Sequence, residues 1–516
     1  MQKLDLPESW VWTTVSQLGS VVSGGTPSTK EPSYWGEEIA WISPSDLTGY
    51  SSKFITKGAK SITAKGLKNS SAVIMPKGSI HFSSRAPIGY VAISNNEIST
   101  NQGFKSLVPA SGIFDEYVYY YFKSAKQLAE SLATGTTFKE LSGSAFSRMA
   151  VPLPPQEEQV RIVAKLEELF SELDKGVENL RTAQQQLKVY RQALLKHAFE
   201  GKLTAEWRAQ NPDKLESAEA LLARIRQEHE ARYQQQLTEW QAAQQAWEAS
   251  GKTGSKPAKP KVPKVLPALT AEELSELPEL PASWQWVRIG EVFGVYVGAT
   301  PSRSNQNYWG GVIPWVSSGE VAFCRIKSTK ERITEAGYIN TSTEIHPSGT
   351  VMLAMIGEGK TRGQAAILDV AAAHNQNTAA IRVSESGCAP EFLYFYLCLQ
   401  YEITRKLGSG NNQKALNKER VSDIRIPFFS LAEQQALVQL VDEKLSVIDQ
   451  LEHTITTSLQ QAEALRQSIL KKAFSGQLVP QHPDDEPASV LLERIRAERD
   501  AQQPAPRRGR QPKAAA

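Results

Sequence analysis

The sequence predicts a mixed α/β protein that contains two copies of one globular domain, each followed by a long helix. The first observation is an internal repeat. Gly24-Gly25-Thr26-Pro27-Ser28 recurs 274 residues later as Gly298-Ala299-Thr300-Pro301-Ser302, and segment 191–199 recurs 275 residues later as 466–474. Solenoid repeats have periods of roughly 20–50 residues. The repeated unit is therefore a whole domain with its helix, and a length of 516 residues leaves room for two.

Bulk composition is that of an ordinary globular protein. Hydrophobic residues make up 41% of the chain and charged residues 22%. No apolar run approaches the ~20 residues of a membrane span, and the first residues contain no apolar stretch typical of a secretory signal. Three cysteines, at 324, 388 and 398, exclude a disulfide framework and a Cys-x-x-Cys zinc site. We therefore expect a cytoplasmic protein without a membrane partner.

Residues 1–155 form the first predicted domain. Short apolar runs at 71–75 and 89–93 are typical of strands, and clusters of Gly, Pro and Ser separate them. The aromatic run 117–122 predicts a buried helix that continues to Leu132, and its counterpart is 392–397. Stacked aromatic rings can bind bases, but a continuous aromatic run on a helix is more typical of a core.

Two long helices are predicted at 156–200 and 431–476. Their apolar positions recur at steps of 3, 4 or 7 residues, which is the coiled-coil period. These positions are Leu166, Phe170, Leu173, Val177, Leu180, Leu187, Leu194 and Ala198 in the first helix and Val441, Leu445, Ile448, Ile455, Leu459, Ala462, Ile469 and Ala473 in the second. Arg191 interrupts the first seam. The two seams most simply pack on each other, with docking of each helix on its own domain as the alternative.

Three further segments complete the chain. Residues 201–280 contain a helical stretch at 215–249 and a flexible linker rich in Lys, Pro and Gly at 251–265. Residues 281–430 are the second copy of the domain. Residues 477–516 form a helical segment that ends in a flexible basic tail.

Positive charge is concentrated in the two domain copies. Residues 1–155 carry 14 Lys and Arg against 11 Asp and Glu, and residues 281–430 carry 15 against 12, so each copy has a net charge of +3. The whole chain also has a net charge of +3. This distribution is compatible with an ordinary domain surface, and it also suits contact with a DNA backbone.

Catalytic motifs are missing from the sequence. Segment 354–361 differs from a phosphate-binding Gly-x-x-x-x-Gly-Lys-Thr loop because Ala354 replaces its first glycine, and 362–368 predicts a strand where that loop requires a helix. The sequence contains no Gly-x-Ser-x-Gly turn, no zinc-protease helix motif and no Asn/Asp-Pro-Pro-Tyr/Phe loop of amino-methyltransferases. We therefore expect a chain that binds and does not catalyse.

The combination of repeated domains and helices resembles the specificity (S) subunits of type I restriction–modification enzymes. Four motifs carry the resemblance: Leu6-Pro7-x-x-Trp10-x-Trp12, Pro152-Leu153-Pro154-Pro155-Gln156-Glu157-Glu158-Gln159, Ala198-Phe199-Glu200-Gly201-Lys202-Leu203-Thr204-x-x-Trp207-Arg208 and Gly357-Glu358-Gly359-Lys360-Thr361-Arg362-Gly363-Gln364. The run 205–213 is similar to the enterobacterial A family. There it follows the second helix, whereas here it follows the first, so the resemblance leaves the subfamily open.

The resemblance implies an architecture and a set of partners. Each globe would be a target-recognition domain that reads one half of a split sequence in double-stranded DNA. The helices would form an antiparallel two-helix coiled coil that joins and spaces the domains and docks two modification (methyltransferase) subunits, and restriction (nuclease/translocase) subunits would join them. S-adenosylmethionine, ATP and Mg²⁺ would bind those partners, so no cofactor is expected in this chain.

Polar residues in the repeat-aligned loops are the candidate DNA-binding residues. Asn and Gln suit adenine edges, Arg suits guanine, and Lys suits phosphate. The candidates are Ser84, Arg85, Asn101, Gln102 and Lys139 in the first copy and Lys360, Arg362, Asn375, Gln376, Asn412, Gln413 and Lys414 in the second. The Asn-Gln pair occurs in both copies, although the copies should read different sequences, so a structural role for it is equally open.

Two other functional classes remain as alternatives to a DNA-recognition subunit. One is a self-contained DNA methyltransferase or nuclease that reads its own site. The other is a scaffold protein that uses its coiled coil for protein partners and does not bind DNA.

Overall fold

A computed structural model describes residues 5–85, 87–135, 139–254, 256–260, 262, 266–357, 359–406 and 416–502. Contacts divide the chain into two compact units. Unit 1 contains 1–182 and 455–516, and unit 2 contains 183–454. These units differ from the predicted segments, because each boundary falls inside a long helix and not at its end.

The described residues of the globular part of unit 1 form three sheets and four short α-helices. Its elements are β1 (Val11–Thr14), β2 (Gly19–Ser23), β3 (Trp35–Ile42), β4 (Phe54–Ile55), β5 (Lys60–Ile62), α1 (Ala64–Lys68), β6 (Ile80–Ser83), β7 (Val91–Ser94), β8 (Ser99–Thr100), β9 (Phe104–Pro109), α2 (Asp115–Ser124), α3 (Lys126–Leu132), α4 (Gly143–Ser147) and β10 (Ala150–Leu153). The sheets have the strand orders β2-β9-β6-β7-β4, β5-β3-β8 and β1-β10. The central strand β6 pairs with β9 on one side and β7 on the other, and its side chains are buried along its whole length.

Four α-helices follow in the described residues before the second globe. These are the long helix α5 (Gln156–Phe199), then α6 (Ala205–Gln210), α7 (Ala218–Ala249) and α8 (Ala271–Ser275). The predicted helical stretch is therefore present as α7. The described part of the linker packs on it, because the Trp240 and Trp247 indoles donate hydrogen bonds to the carbonyls of Pro257 and Gly254.

The globular part of unit 2 repeats the first in topology. Its elements are β11 (Gln285–Arg288), α9 (Ile289–Val292), β12 (Gly294–Val297), β13 (Trp309–Val316), β14 (Cys324–Ile326), β15 (Glu331–Ile333), α10 (Glu335–Ile339), β16 (Val351–Ala354), β17 (Ala365–Leu368), β18 (Ala373–His374), β19 (Thr378–Arg382), α11 (Pro390–Leu399), α12 (Tyr401–Lys406), α13 (Lys418–Ser422) and β20 (Arg425–Phe428). The sheets β12-β19-β16-β17-β14, β15-β13-β18 and β11-β20 match those of unit 1 strand for strand. Helices α14 (Leu431–Ala473) and α15 (Ala488–Gln502) follow this globe.

The aromatic run lies in the core of unit 1, as predicted. Tyr117 and Phe122 are fully buried, and the predicted single helix is divided into α2 and α3 at Ala125. The prediction of a strand at 71–75 is wrong. Met75 forms a lone bridge to Ile98, and of the residues before it Ala72 is buried whereas Val73 and Ile74 are exposed, so the segment has neither the continuous pairing nor the alternating burial of a strand.

Each unit is completed by the end of the long helix that enters from elsewhere in the chain. In unit 1, Phe474 at the end of α14 contacts Tyr117 and Tyr121 at ring distances of 5.5 and 5.2 Å. In unit 2, Phe199 at the end of α5 contacts Phe392 and Tyr396 at 5.7 and 5.0 Å. The repeated Ala-Phe-x-Gly motif therefore fills a core.

The glycine of this motif meets the repeated Leu-Pro motif. Gly201 and Gly476 adopt φ angles of +74° and +73°, a left-handed conformation in which glycine avoids the strain of a side chain. A Cβ atom would lie 2.4 Å from Pro281 at Gly201 and 2.3 Å from Pro7 at Gly476. Both motif pairs therefore form one contact, once in each unit.

The two long helices run antiparallel inside each unit. In unit 1, Glu158 of α5 accepts from Gln481, beyond the end of α14, and farther along α5 Asp174 pairs with the earlier residue Arg466. In unit 2, Glu433 of α14 pairs with Arg208, beyond the end of α5. Arg191, which interrupts the predicted seam, pairs with Asp449 and Glu452 of α14. The predicted pairing of the two seams is confirmed, and the N-terminal part of each helix also packs on its own globe.

No helix within the described ranges is long and apolar enough to cross a membrane.

Candidate nucleic-acid interface

Loops that are distant in sequence meet at one end of the unit 1 sheets. We call 24–29, 84–85, 101–103 and 139–141 the first loop cluster. Strand β8 leads directly into Asn101, whose Oδ1 accepts a hydrogen bond from the Gly103 amide at 2.8 Å. The Gly103 carbonyl accepts two more, from the Ser84 amide at 2.7 Å and the Ser84 hydroxyl at 3.0 Å. The Leu141 amide donates to the Ser84 carbonyl at 2.8 Å. These bonds hold three of the loops together.

Burial separates the predicted residues of this cluster into two groups. Ser84 is fully buried, and its hydroxyl is used within the cluster, so it positions the loops and does not lie on their surface. Asn101 is partly buried and likewise bonds to its own loop. Arg85, Gln102 and Lys139 are exposed and form the outer surface.

Charges and hydrogen bonds order this outer surface. Arg85 pairs with Glu140 at 3.1 Å, and the Thr26 hydroxyl donates to the Gln102 side-chain carbonyl. Sequence reasoning missed Lys105, which lies in strand β9 and directs its ammonium to the Gln102 carbonyl at 3.3 Å. Burial lowers the pKa of Lys105; the nearby Glu140 charge opposes this shift, and the Arg85 charge adds to it. The position of Lys105 within an apolar strand gave no signal in the sequence of its contact with the Gln102 carbonyl.

Unit 2 repeats the same frame, which we call the second loop cluster (298–303, 355–364 without 358, and 375–377). The Trp315 indole donates to the Ala299 carbonyl at 3.1 Å, as Trp41 does to Gly25 at 3.0 Å in unit 1. The Thr300 hydroxyl donates to Gln376, which repeats the bond between Thr26 and Gln102.

The asparagine of the repeated Asn-Gln pair is structural in this conformation. Asn375 is 7% exposed, and its Oδ1 accepts from the Asn377 amide at 3.1 Å and the Thr378 hydroxyl at 3.2 Å. Gln376 is exposed. In both units, therefore, the asparagine shapes the turn while the glutamine reaches the surface.

The loop between β16 and β17 is fixed by helix α12. The Tyr401 hydroxyl donates to the Lys360 carbonyl at 2.6 Å, and Arg405 donates to the Gly359 carbonyl at 2.8 Å. Lys360 is exposed and Arg362 is partly exposed. Strand β17 follows, as predicted, so the segment lacks the helix of a phosphate-binding loop. Asn412, Gln413 and Lys414 lie outside the described residues.

A buried histidine pair lies behind the second loop cluster, and sequence reasoning missed it. The Nε2 atoms of His346 and His374 lie 3.2 Å apart, and Arg382 donates to His346 Nδ1 at 3.1 Å. Burial lowers the pKa of His346 to about 3 and that of His374 to about 4, so both rings are neutral at neutral pH. Unit 1 has Met75 and Thr100 at these positions.

This pair lacks the ligands of a metal site. Within the described parts of the chain, no group of three or more His, Cys, Asp or Glu side chains could hold a metal ion.

Comparison with known proteins identifies the family. The type I restriction modification DNA specificity domain matches residues 7–180 and 281–461. The chain is 40% identical over 196 residues to the type I restriction enzyme MjaIX specificity subunit of Methanocaldococcus jannaschii, which covers 38% of this chain and 44% of that one. It is 25% identical over 400 residues to the EcoDI specificity subunit of Escherichia coli, which covers 75% of this chain and 77% of that one. The MjaIX alignment thus spans less than half of that relative's length.

Solved structures show the same fold. A chain from a study of assembly and conformational transition of the type I R-M system has a TM-score of 0.65 at 18% identity, covering 92% of this chain and 99% of its own length. The HsdS subunit from Thermoanaerobacter tengcongensis has a TM-score of 0.51 at 17% identity, with the same coverage.

The chain belongs to the family of type I restriction–modification DNA specificity domains, and it contains two of them. The prediction of a chain that recognises DNA and does not itself catalyse is confirmed by this family and by the specificity subunits among its relatives.

Proposed function

We propose that this chain is the DNA-recognition subunit of a type I restriction–modification complex and that it binds a bipartite target, one half in each unit. One observation carries the proposal. The two loop clusters share a hydrogen-bonded frame, with Thr26–Gln102 in one and Thr300–Gln376 in the other, but they expose different side chains on it. A shared frame with different exposed groups suits two domains that dock on DNA alike and read different bases.

The charged residues of each cluster differ in the way this proposal requires. Unit 1 presents Arg85 and Lys139, with Lys105 buried next to the Asn-Gln turn, whereas unit 2 presents Lys360 and Arg362 on a longer loop. An arginine suits the guanine edge and a lysine suits phosphate. Each unit would therefore combine backbone contacts with base contacts of its own.

Methylome sequencing of a host with and without the gene tests the proposal. We expect one class of methylated bipartite sites to disappear when the gene is removed. Exchange of residues 1–150 for those of a relative should then change one half of that sequence and leave the other unchanged. If no methylated sequence depends on the gene, the proposal is wrong, and if both halves change, the assignment of one half to each unit is wrong.

Partner docking is the second part of the proposal. We infer that the long helices bind two modification subunits, that restriction subunits join them in the cytoplasm, and that S-adenosylmethionine, ATP and Mg²⁺ act in those partners. The unit 2 parts of α5 and α14 support this, because Val189, Tyr190, Val447 and Leu451 expose 70, 53, 60 and 45% of their surface. Exposed apolar side chains often mark protein interfaces.

A matched pair of variants tests the docking. Val189→Lys should reduce co-purification of the modification subunit, because it places a charge in the apolar contact. Gln185→Lys, one turn earlier on α5 and also exposed, introduces the same charge without removing an apolar side chain and should not. Equal co-purification of both variants would exclude this part of α5 from the interface.

A further inference from the structure

The two units contain the same pair of tryptophans in their three-stranded sheets. Trp35 and Trp41 meet edge to face with ring centroids 5.2 Å apart, and Trp309 and Trp315 meet in the same way at 5.1 Å. The interplanar angle is 89° in both pairs. The surroundings of the outer indoles, Trp35 and Trp309, can therefore be compared directly.

In unit 2 the outer indole is covered by a cation of the chain itself. The guanidinium of Arg303 lies 3.8 Å from the ring centroid of Trp309 and 5.2 Å from that of Trp315. Glu331 accepts two hydrogen bonds from Arg303, one of them at 2.9 Å. The ring face is thus occupied, and the charge that occupies it is neutralised.

In unit 1 both covering residues are replaced. Thr29 stands at the position of Arg303 and Lys60 at that of Glu331. A cavity of about 640 Å³ lies there, and its lining includes Trp35, Lys57 and Lys60, with Glu37 as a carboxylate. The Lys60 ammonium lies 5.5 Å from the centroid of the Trp35 ring. We call this cavity the Trp35 pocket. Two ammonium groups against one carboxylate favour an anion.

The Trp35 pocket adjoins the first loop cluster. The Trp35 indole donates to the Ser28 carbonyl at 3.1 Å, and Thr26, two residues earlier in the same loop, bonds to Gln102. Strand β8 leads into the Asn-Gln turn, and β5, which carries Lys60, is two strands away in the sheet. That separation is about 10 Å, or roughly three base-pair rises of ~3.4 Å.

We propose that the Trp35 pocket binds a backbone phosphate of the DNA that flanks the first half-site. This inference rests on the proposed function, because it assigns a flanking contact to the same interface. Phosphate contacts fix the orientation of a protein on the duplex without reading sequence, and a lysine ammonium suits them as a point charge. Unit 2 closes the equivalent place with Arg303 and Glu331, so the two units hold DNA differently.

The test copies the closed arrangement of unit 2 into unit 1. Thr29→Arg combined with Lys60→Glu places the covering cation and its carboxylate over Trp35. The variant full chain, assembled with its modification subunits, is titrated with a duplex that carries the methylated target, at salt concentrations from 50 to 200 mM. We expect the magnitude of the slope of log affinity against log salt to fall by about 0.9. Affinity should fall about eightfold at 0.1 M salt, and the target sequence should stay the same.

Two further variants control for charge and folding. Lys68→Gln, on the exposed end of α1 outside the pocket lining, matches the net charge change of −1 and should keep the wild-type slope. Lys57→Gln with Lys60→Gln empties the pocket of its cations without inserting a larger side chain and should lower the slope magnitude as the first variant does.

The outcomes separate this inference from the proposed function. The inference is overturned if both pocket variants keep the wild-type slope on DNA that the wild-type complex recognises, or if Lys68→Gln lowers the slope equally. If the wild-type complex shows no sequence preference at all, the proposed function fails instead.

Discussion

The carboxylate of Glu433 allows the strength of one contact within unit 2 to be predicted in detail. It is fully buried at the start of α14 and accepts hydrogen bonds from the Trp284 indole at 3.0 Å and the Thr204 hydroxyl at 2.7 Å. It also pairs with Arg208, whose side chain is 17% exposed. Glu433→Gln keeps the size of the side chain but leaves the guanidinium without its counter-charge. Breaking a buried ion pair costs about 3–5 kcal/mol, and the partial exposure of Arg208 favours the lower end.

Glu158 provides the matched control in unit 1. It is equally buried at the start of α5, but its partners are neutral: the Trp10 indole at 2.9 Å and the Gln481 amide at 2.6 Å. Burial raises the pKa of Glu158, which lowers the cost of replacing its carboxylate by a neutral amide. Glu158→Gln should therefore cost only about 1 kcal/mol, the value of one net hydrogen bond.

Hydrogen exchange followed by mass spectrometry measures both costs in the full chain. In Glu433→Gln, peptides that cover 200–210 should exchange about 150-fold faster, which corresponds to 3 kcal/mol at ~1.36 kcal/mol per tenfold change. In Glu158→Gln, peptides that cover 475–485 should accelerate by about fivefold. The conclusion that Glu433, unlike Glu158, belongs to a buried ion pair would be refuted by either of two results. One is equal acceleration of exchange in the two variants, and the other is an acceleration of less than tenfold in Glu433→Gln.

Three further predictions concern unit 2. Lys360→Ala should weaken binding evenly across target variants, as loss of a phosphate contact does, and competition with altered second half-sites measures this. Arg362→Ala should cost about 1–3 kcal/mol at one base position and relax the choice there; unchanged base preference would remove this residue from readout. Acid should destabilise unit 2. The pKa values of His346 and His374 are about 3 and 4 in the folded chain, against an ordinary value of 6.5. The neutral rings therefore contribute stability above pH 6.5 that is lost as the pH falls toward 4, about 2 kcal/mol per ring at pH 5. The double variant His346→Met with His374→Thr introduces the residues of unit 1. It should reduce the change in the urea-denaturation midpoint of unit 2 between pH 7 and pH 5. An unaltered pH dependence would show that these two histidines do not cause the acid destabilisation.

Several features of the protein could be predicted from local sequence alone. The helices predicted at 156–200 and 431–476 are present as α5 (Gln156–Phe199) and α14 (Leu431–Ala473). Apolar residues at steps of 3, 4 and 7 put one buried face on a helix whatever it packs against, so the pattern is readable without the partner. The internal repeat likewise indicated two equivalent domains, and the strand orders of the two units match.

Contacts between distant segments were decided only by the tertiary structure. Ser84 and Asn375 are polar residues in loops, which predicts exposure, yet both are buried, because their hydrogen-bond partners in the loop clusters replace water. The run at 71–75 is apolar enough for a strand but lacks a pairing partner along its length. Lys105 and the pair of His346 and His374 gave no signal, because neither a lone lysine in a strand nor two histidines 28 residues apart form a sequence motif.

The chain segments that make up each unit show most clearly what local sequence cannot predict. Phe474 completes a core formed by residues near 120, and Arg208 pairs with Glu433 across 225 residues of chain. The sequence by itself determined that two similar domains and two long amphipathic helices exist, since these depend on local periodicity and on repetition. Which helix end completes which unit is a question of long-range packing, and only the folded chain answers it, because the free energy of those contacts depends on groups that the sequence keeps hundreds of residues apart.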